Sequence, residues 1–338
     1  MIQIIKKMVE NNFAKIIRSV NATTQVHMSR RLSLLEKVIV LNTYILSKLW
    51  YVSQTLPPSN IHLAQIKKTS GCFLWRCHRI FKIERTQLYL HNLKGGLNLL
   101  DPETQCKSLF IRSILFKGYE PVNHYFTSTD NLKGLSLNTQ RFITKANEIK
   151  RLSYLTTNKQ IYDYFIDRMC IKVKMEEKYP QICWNDIWEN INKNFLTLST
   201  RSTLYEMFND IIPNNIKMFN NIANVDDFQC DICGKPDDNI HRVTNCLKTS
   251  EIWLWVLKIL KDRFEIRIES PLLLLYKGIS KQNSKFKAAL WLICEAIAYN
   301  VKNHKNPSLF MFQKRIRDTR WNNNKLFKKH FGNYLNIC

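Results

Sequence analysis

The chain has 338 residues and a formal net charge of +24, from 51 Lys and Arg against 27 Asp and Glu. That length holds two or three domains with real cores, and the excess of cations makes polyanions the default partners. An apolar fraction of 45% excludes a disordered basic tail, and only 8 Gly and 9 Pro argue against a turn-rich β fold or a glycine-rich phosphate loop.

In chain order, Met1 to Met8 lacks the apolar core of a secretory signal. Ser33 and Glu36 have capping-box spacing and open the clearest helix. In it Leu35, Val38, Ile39, Ile45, Leu46, Leu49 and Val52 recur at helical intervals, until Pro57-Pro58 stops the pattern. A second helix is expected from Ser59 to Trp75, with Leu63, Ile66, Phe73 and Leu74 inward and Lys67, Lys68 and Arg76 outward. Gln87 to Leu90 reads as a short β-like segment, followed by the Gly95-Gly96 turn. Asp101-Pro102-Glu103 starts a third helix, expected to run to about Lys117, because Asp caps free N–H groups and Pro fits the first helical position.

Residues 118–140, with Gly118, Pro121 and Gly134, read as a loop or linker. Helices are expected to resume over 140–150 and 159–178, and Trp184, Ile187, Trp188 and Ile191 mark another. After a break at Ile211-Ile212-Pro213, helices are expected over Glu251–Phe264 and Phe286–Val301, then a basic tail. The apolar run from Ala288 to Val301 is broken by Glu295 and falls short of the ~18–20 residues a membrane span needs. No membrane partner is expected. Cations concentrate in residues 1–40, 61–90 and 301–338, whereas Glu176 to Ile240 carries eleven acids against five bases. The polyanion-facing surface is therefore expected in the N-terminal third and the tail.

Cys230, Cys233, His241 and Cys246 form the pattern C-x2-C-x7-H-x4-C. Three thiolates and an imidazole suit tetrahedral zinc, and four protein ligands leave no open position, so one structural zinc ion is expected. Gly234 supplies the backbone freedom of a knuckle turn. The alternative is three ordinary buried cysteines and a surface histidine. Asp231, Asp237 and Asp238 outnumber Lys235 and Arg242 within the knuckle, which favours a folding or docking role over phosphate contact. The spacing is longer than the C-x2-C-x4-H-x4-C of retroviral knuckles. The remaining cysteines are scattered, unlike a secreted disulfide framework, so the chain reads as soluble, intracellular and reduced.

These segments together resemble the C-terminal part of reverse transcriptases from non-LTR (LINE-type) retrotransposons. Arg31-Leu32-Ser33-Leu34 through Leu49-Trp50-Tyr51, then Leu56-Pro57-Pro58, is similar to that family's R-L-S-L…K-V…N…S-K-L-W-Y helix and its sequel. Phe73-Leu74-Trp75-Arg76 is similar to its F-L-W segment, and Gly95-Gly96-Leu97-Asn98-Leu99 to its G-G-L-G-L turn, with Asn98 replacing the usual glycine. Pro180 to Trp188, then Cys230 through Cys246 and Trp253, resemble its zinc-binding segment. The likeness spans roughly residues 25–260 and is weak over the final 80.

The residue patterns predict a mainly α architecture with a linker at 118–140, and within that architecture the resemblance implies the end of a palm at 1–28 and a thumb-like helical module at 29–117. A helical linker domain at 141–222, a CCHC zinc-binding segment at 223–265 and a basic helical tail at 266–338 follow. It implies backbone contacts to RNA or an RNA–DNA hybrid, with target DNA a further partner, from Arg30, Arg31, Lys37 and Lys48, and from Lys67, Lys68 and Arg76. Cations on rigid helices neutralise phosphates without reading sequence, although a merely solvated basic face would look the same. Trp50, Tyr51 and Trp75 are stacking candidates, with a core role as the alternative. Nuclear action is implied by the family's chromosomal insertion.

No catalytic residue is assigned. Reverse transcription uses two metal ions held by palm carboxylates. Asn224-Val225-Asp226-Asp227 and Pro236-Asp237-Asp238 lack the preceding aromatic and read as solvated loop acids. Fingers and palm are expected to precede residue 1, as missing partners of a complete RNA-directed DNA polymerase. No nuclease arrangement follows Cys246. An adopted protein-interaction module built on the zinc segment and an inert truncated remnant are the alternatives.

Overall fold

The computed structural model describes residues 2–76, 83–116, 137–152, 154–221, 228–267 and 284–322. The chain divides into two compact units, Met1–Arg79 with Glu84–His91 and Gly96–Lys172, and Ile80–Ile83 with Asn92–Gly95 and Val173–Cys338. Both are helical. Among the described residues the sole β pairing is an isolated bridge between Gln229 and Pro236.

The first unit opens with α1 (Ile2–Met28), which buries Phe13, Val20, Thr24 and His27 along one stripe. The next helix is α2 (Leu34–Val40), one π turn (Leu41–Ile45) and α3 (Ser47–Ser53). Its start is the capping box expected from sequence, with the Glu36 carboxylate accepting from the Ser33 N–H at 2.8 Å and its hydroxyl at 2.7 Å. Ile39, expected inward, is 44% exposed, because the buried stripe runs through Leu34, Val38 and Leu41 and misses it. The α4 helix (Asn60–Trp75) is capped by Ser59 and buries Leu63, Ile66, Phe73 and Leu74, as its periodicity requires.

Gln87–Leu90 is not β-like. Residues Arg85–Tyr89 form the short helix α5, closed by Leu90 N donating to Gln87 O at 3.2 Å, and carbonyls of the segment accept from the chain that follows the glycine pair. Leu88 O accepts from the N–H groups of Leu97 and Leu99, and Leu90 O from Asn98. Gly96 is required by that approach, since a Cβ there would lie 2.0 Å from the Leu90 carbonyl oxygen. Asn98 has φ 56, the left-handed conformation that glycine and asparagine tolerate best. Asn42, from the π turn, donates to Asn98 O at 2.8 Å and accepts from Leu100 N at 3.0 Å.

Asp101 caps α6 (Pro102–Phe116), its Oδ2 accepting from the Thr104 N–H at 2.9 Å and hydroxyl at 2.7 Å. Helices α7 (Leu137–Lys150) and α8 (Asn158–Asp167) close around Ile111, Ala146, Ile149, Leu155, Ile161 and Phe165. Of the expected linker, residues through 136 lie outside the described residues, and 137–140 are the first turn of α7. The helix expected over 159–178 is interrupted: α8 ends at Asp167, and Cys170 has φ 47, which a right-handed helix cannot hold.

The second unit contains α9 (Lys174–Lys178), α10 (Trp184–Ile191), α11 (Leu198–Phe208) and α12 (Asn215–Asn221). A π turn (His241–Asn245) leads into α13 (Leu247–Phe264), followed by α14 (Ser284–Lys302) and α15 (Leu309–Asn322). Every residue from Ala288 to Val301 is buried, so the apolar run on α14 is a core helix, hydrophobic all round. No described helix is long and apolar enough to cross a membrane. Glu295 interrupts the run without leaving the core: its carboxylate accepts from the Thr200 hydroxyl at 2.6 Å and the Arg315 guanidinium at 2.8 Å. Residues 268–283 and 323–338 of the expected basic tail lie outside the described residues.

Candidate metal centre

The four sequence-predicted ligands converge. Cys230, Cys233, His241 and Cys246 each present one ligand atom, all within 4.8 Å of one another. The Sγ atoms of Cys230 and Cys246 are 4.0 Å apart, and Cys233 Sγ lies 3.3 Å from His241 Nε2. Ligands at usual zinc–sulfur and zinc–nitrogen distances on a tetrahedron stand about 3.5–3.8 Å apart, so the spacing fits one ion.

Local folding explains each position. The first two cysteines share a tight turn, in which Gly234 N donates to Cys230 O at 2.9 Å and Cys230 N to Lys235 O at 2.7 Å. Gly234 has φ 68, which makes a Cβ-bearing residue strained there. The H-x4-C gap is one π turn, closed by Cys246 N donating to His241 O at 2.9 Å. On an α-helix, residues five apart point about 140° from each other; the wider turn brings His241 and Cys246 to one side. Cys246 then occupies the N-cap position of α13, without a side-chain cap hydrogen bond to its sulfur, and the N–H groups of the first turn open on the ligand cluster's side of the chain. The Trp253 indole N–H donates to Val243 O and secures the same turn.

The Lys235 N–H aimed at its sulfur draws the Cys233 thiol below its ordinary value. Burial, with the adjoining Cys230 and Cys233 sulfurs, pushes Cys246 up to about 11. Crowded thiols resist ionising together, and a divalent cation removes that resistance. His241 is 4% exposed, which disposes of the surface-histidine alternative. The group could hold one metal ion.

Two features escaped the sequence reading. Asp237, expected as a solvated loop acid, is fully buried; it accepts from Arg242 Nε at 2.7 Å and from the Asn215 N–H at 2.8 Å. The cationic partner five residues on is what lets a carboxylate stay inside. Asn224-Val225-Asp226-Asp227 lies outside the described residues. His304 reaches Cys230 from the segment between α14 and α15, with Nε2 3.7 Å from Sγ. Burial and the Arg242 charge hold the His304 imidazole below its ordinary value. No local spacing could have found it.

The expected nucleic-acid contacts sort into two groups. Lys37 donates to Leu74 O at 2.7 Å, Arg76 to Arg30 O at 3.1 Å, and Lys67 to Glu103 at 2.8 Å with Asp101 at 3.5 Å. Arg30, Arg31 and Lys68 are exposed and Lys48 is half-buried, and these four side chains make no hydrogen bond or ion pair to a described residue. Tyr51 is 83% exposed, whereas Trp50 and Trp75 are half-buried.

No protein-family model matches the chain, and no curated protein matches it. Fold and site define a mainly helical protein with a candidate Cys3His metal centre.

Proposed function

We propose that the chain is a non-catalytic nucleic-acid-binding protein of the thumb and zinc-segment type that follows the palm in non-LTR retrotransposon reverse transcriptases. It binds RNA or an RNA–DNA hybrid through the helical first unit and holds one structural zinc ion in the second. The observation that carries the binding role is the set of unengaged cations Arg30, Arg31, Lys48 and Lys68 around the α2–α4 helices, with Tyr51 exposed among them in sequence. Such cations bind phosphates without base specificity. Three sulfurs and one imidazole favour zinc over hard cations, and four protein ligands favour a structural ion over a catalytic one. No group of side chains is assigned to catalysis, and the palm carboxylates of polymerisation would belong to the fingers and palm that precede this region in the family.

The test is fluorescence anisotropy at about 150 mM salt with an RNA–DNA hybrid, single-stranded RNA and duplex DNA, each with and without excess heparin. Preferential binding to hybrid or RNA that survives heparin is expected. Equal binding erased by heparin would refute the reading. A protein-interaction role is the second reading, favoured by the exposed Phe219–Phe228 pair, 5.8 Å between centroids, and by Ile240, 57% exposed. Capture of one stable protein partner without salt-sensitive RNA binding would support it.

A further inference from the structure

His304 stands beside the metal centre, 74 positions along the chain from Cys230. It is 7% exposed, and its ring meets His241 edge-on with centroids 6.0 Å apart. It lies outside the four-atom ligand group, so it is a neighbour of the ligands and not one of them. Its Nε2 faces two groups, Cys230 Sγ at 3.7 Å and Asp237 Oδ1 at 4.0 Å.

Both of those groups are acceptors. A metal-bound cysteine has lost its S–H, and the Asp237 carboxylate already accepts from Arg242 and Asn215. An imidazole nitrogen between two acceptors is stabilised only when it carries the hydrogen. Three thiolates on a divalent ion leave a net negative charge, which N–H donors spread. The knuckle amides and the α13 N-terminus supply such donors from nearby in sequence; His304 supplies one from a separate helical element.

We propose that His304 is a positioning residue of the metal centre, donating its Nε2–H to the Cys230 thiolate and so fastening the α14–α15 connection to the bound metal. The proposal rests on the zinc reading above. Metal retention then depends on the seating of that connection, and the seating depends equally on the metal, because coupling between two binding events is reciprocal.

The experiment uses the full chain loaded with zinc, as wild type, His304→Leu and His304→Gln. Transfer of zinc to a chromophoric chelator is expected to be ~10-fold or more faster in His304→Leu, with most of the retention restored by the N–H of glutamine. In the cobalt(II)-substituted protein, the His304→Leu change is expected to move the thiolate charge-transfer band to lower energy and leave the tetrahedral d–d bands in place. Equal release rates in all three proteins would overturn the proposal alone. Loss of the tetrahedral d–d intensity would overturn it in favour of His304 as a direct ligand. A wild type that retains no zinc would overturn the zinc reading together with this one. Should His304→Leu fail to fold, nitrogen-15 shifts of the zinc-loaded wild type decide: the Nε2–H tautomer of His304 is expected, and the Nδ1–H tautomer overturns the proposal.

Discussion

His241 Nε2 lies 3.3 Å from Cys233 Sγ although the two residues belong to different turns, one tight and one π-helical. Their meeting is what turns a cysteine pair into a candidate four-ligand centre. Zinc is expected at close to one ion per chain, and chelation is expected to lower the melting temperature of the second unit. Cys233→Ser should reproduce the chelated state in metal analysis and in melting. A melting curve unmoved by chelation would refute the structural role.

The two groups of cations predict two kinds of outcome. Replacing Arg30, Arg31 and Lys68 together with Gln should weaken binding to all nucleic acids and flatten the salt slope by about 0.7–0.9 per lost phosphate contact. Lys67→Gln should leave that slope nearly unchanged and cost about 1–3 kcal/mol of stability, because it strips the partner from the 3%-exposed Asp101 side chain. Salt titrations and urea melts of the two variants separate the cases.

Two glycines should respond to alanine with opposite signs. At Gly96 the added methyl meets the Leu90 carbonyl oxygen at 2.0 Å, so overpacking of about 1–3 kcal/mol or more is expected. At Gly71, inside α4, the nearest atom is the end of the flexible Arg85 side chain at 3.0 Å. Relief of the helix-interior glycine should there gain about 0.5–1 kcal/mol. Thermal melts of the two variants check the contrast.

In the second unit, Arg315→Met should leave the fully buried Glu295 carboxylate without its cation and cost about 3–5 kcal/mol. The double variant Glu295→Leu with Arg315→Met should recover most of that loss, since an apolar pair of similar volume replaces a buried ion pair at little cost. A double variant no more stable than the single one would contradict this account of the pair.

Glu148 on α7 gives a pH signature. Hydrogen bonds from Lys145 and Tyr164, with the Arg168 charge nearby, hold its carboxyl down at about 2. A depressed folded-state value means stability present above the ordinary carboxylate range and lost as pH falls through about 2. The partners are largely solvated, so the amplitude is small. Glu148→Gln should melt slightly lower than the parent at pH 5, and the difference should close toward pH 2.

Local chemistry made much of this legible in advance. Ser33 with Glu36, Ser59 and Asp101-Pro102 mark helix starts because a cap is a contact within three or four residues, and each was recoverable from spacing alone. The four ligand positions were legible for the same reason. Ile39, Gln87–Leu90 and Cys170 were misread because register, carbonyl pairing and a left-handed residue are settled by distant packing. His304 lay beyond any window, because it arrives at the knuckle from a helix connection far down the chain, whereas Asp237 is retained inside by Arg242 five residues on together with the Asn215 N–H, 22 positions away.

The π turn at Leu41–Ile45 has a consequence for the permitted length of the chain at that point. A π turn contains one residue more than an α turn, here closed by Leu46 N on Leu41 O at 2.7 Å. Removing a single residue between Leu41 and Ile45 would let α2 and α3 run on as one regular helix, which is locally cheaper. Everything after the deletion would turn by about 100°. Leu49 and Ser53, now fully buried, would swing off the core, and Asn42 could no longer span Asn98 and Leu100. A one-codon deletion in this stretch would therefore relax the backbone while dismantling the packing around it, so the local gain and the global loss have opposite signs at the same five positions.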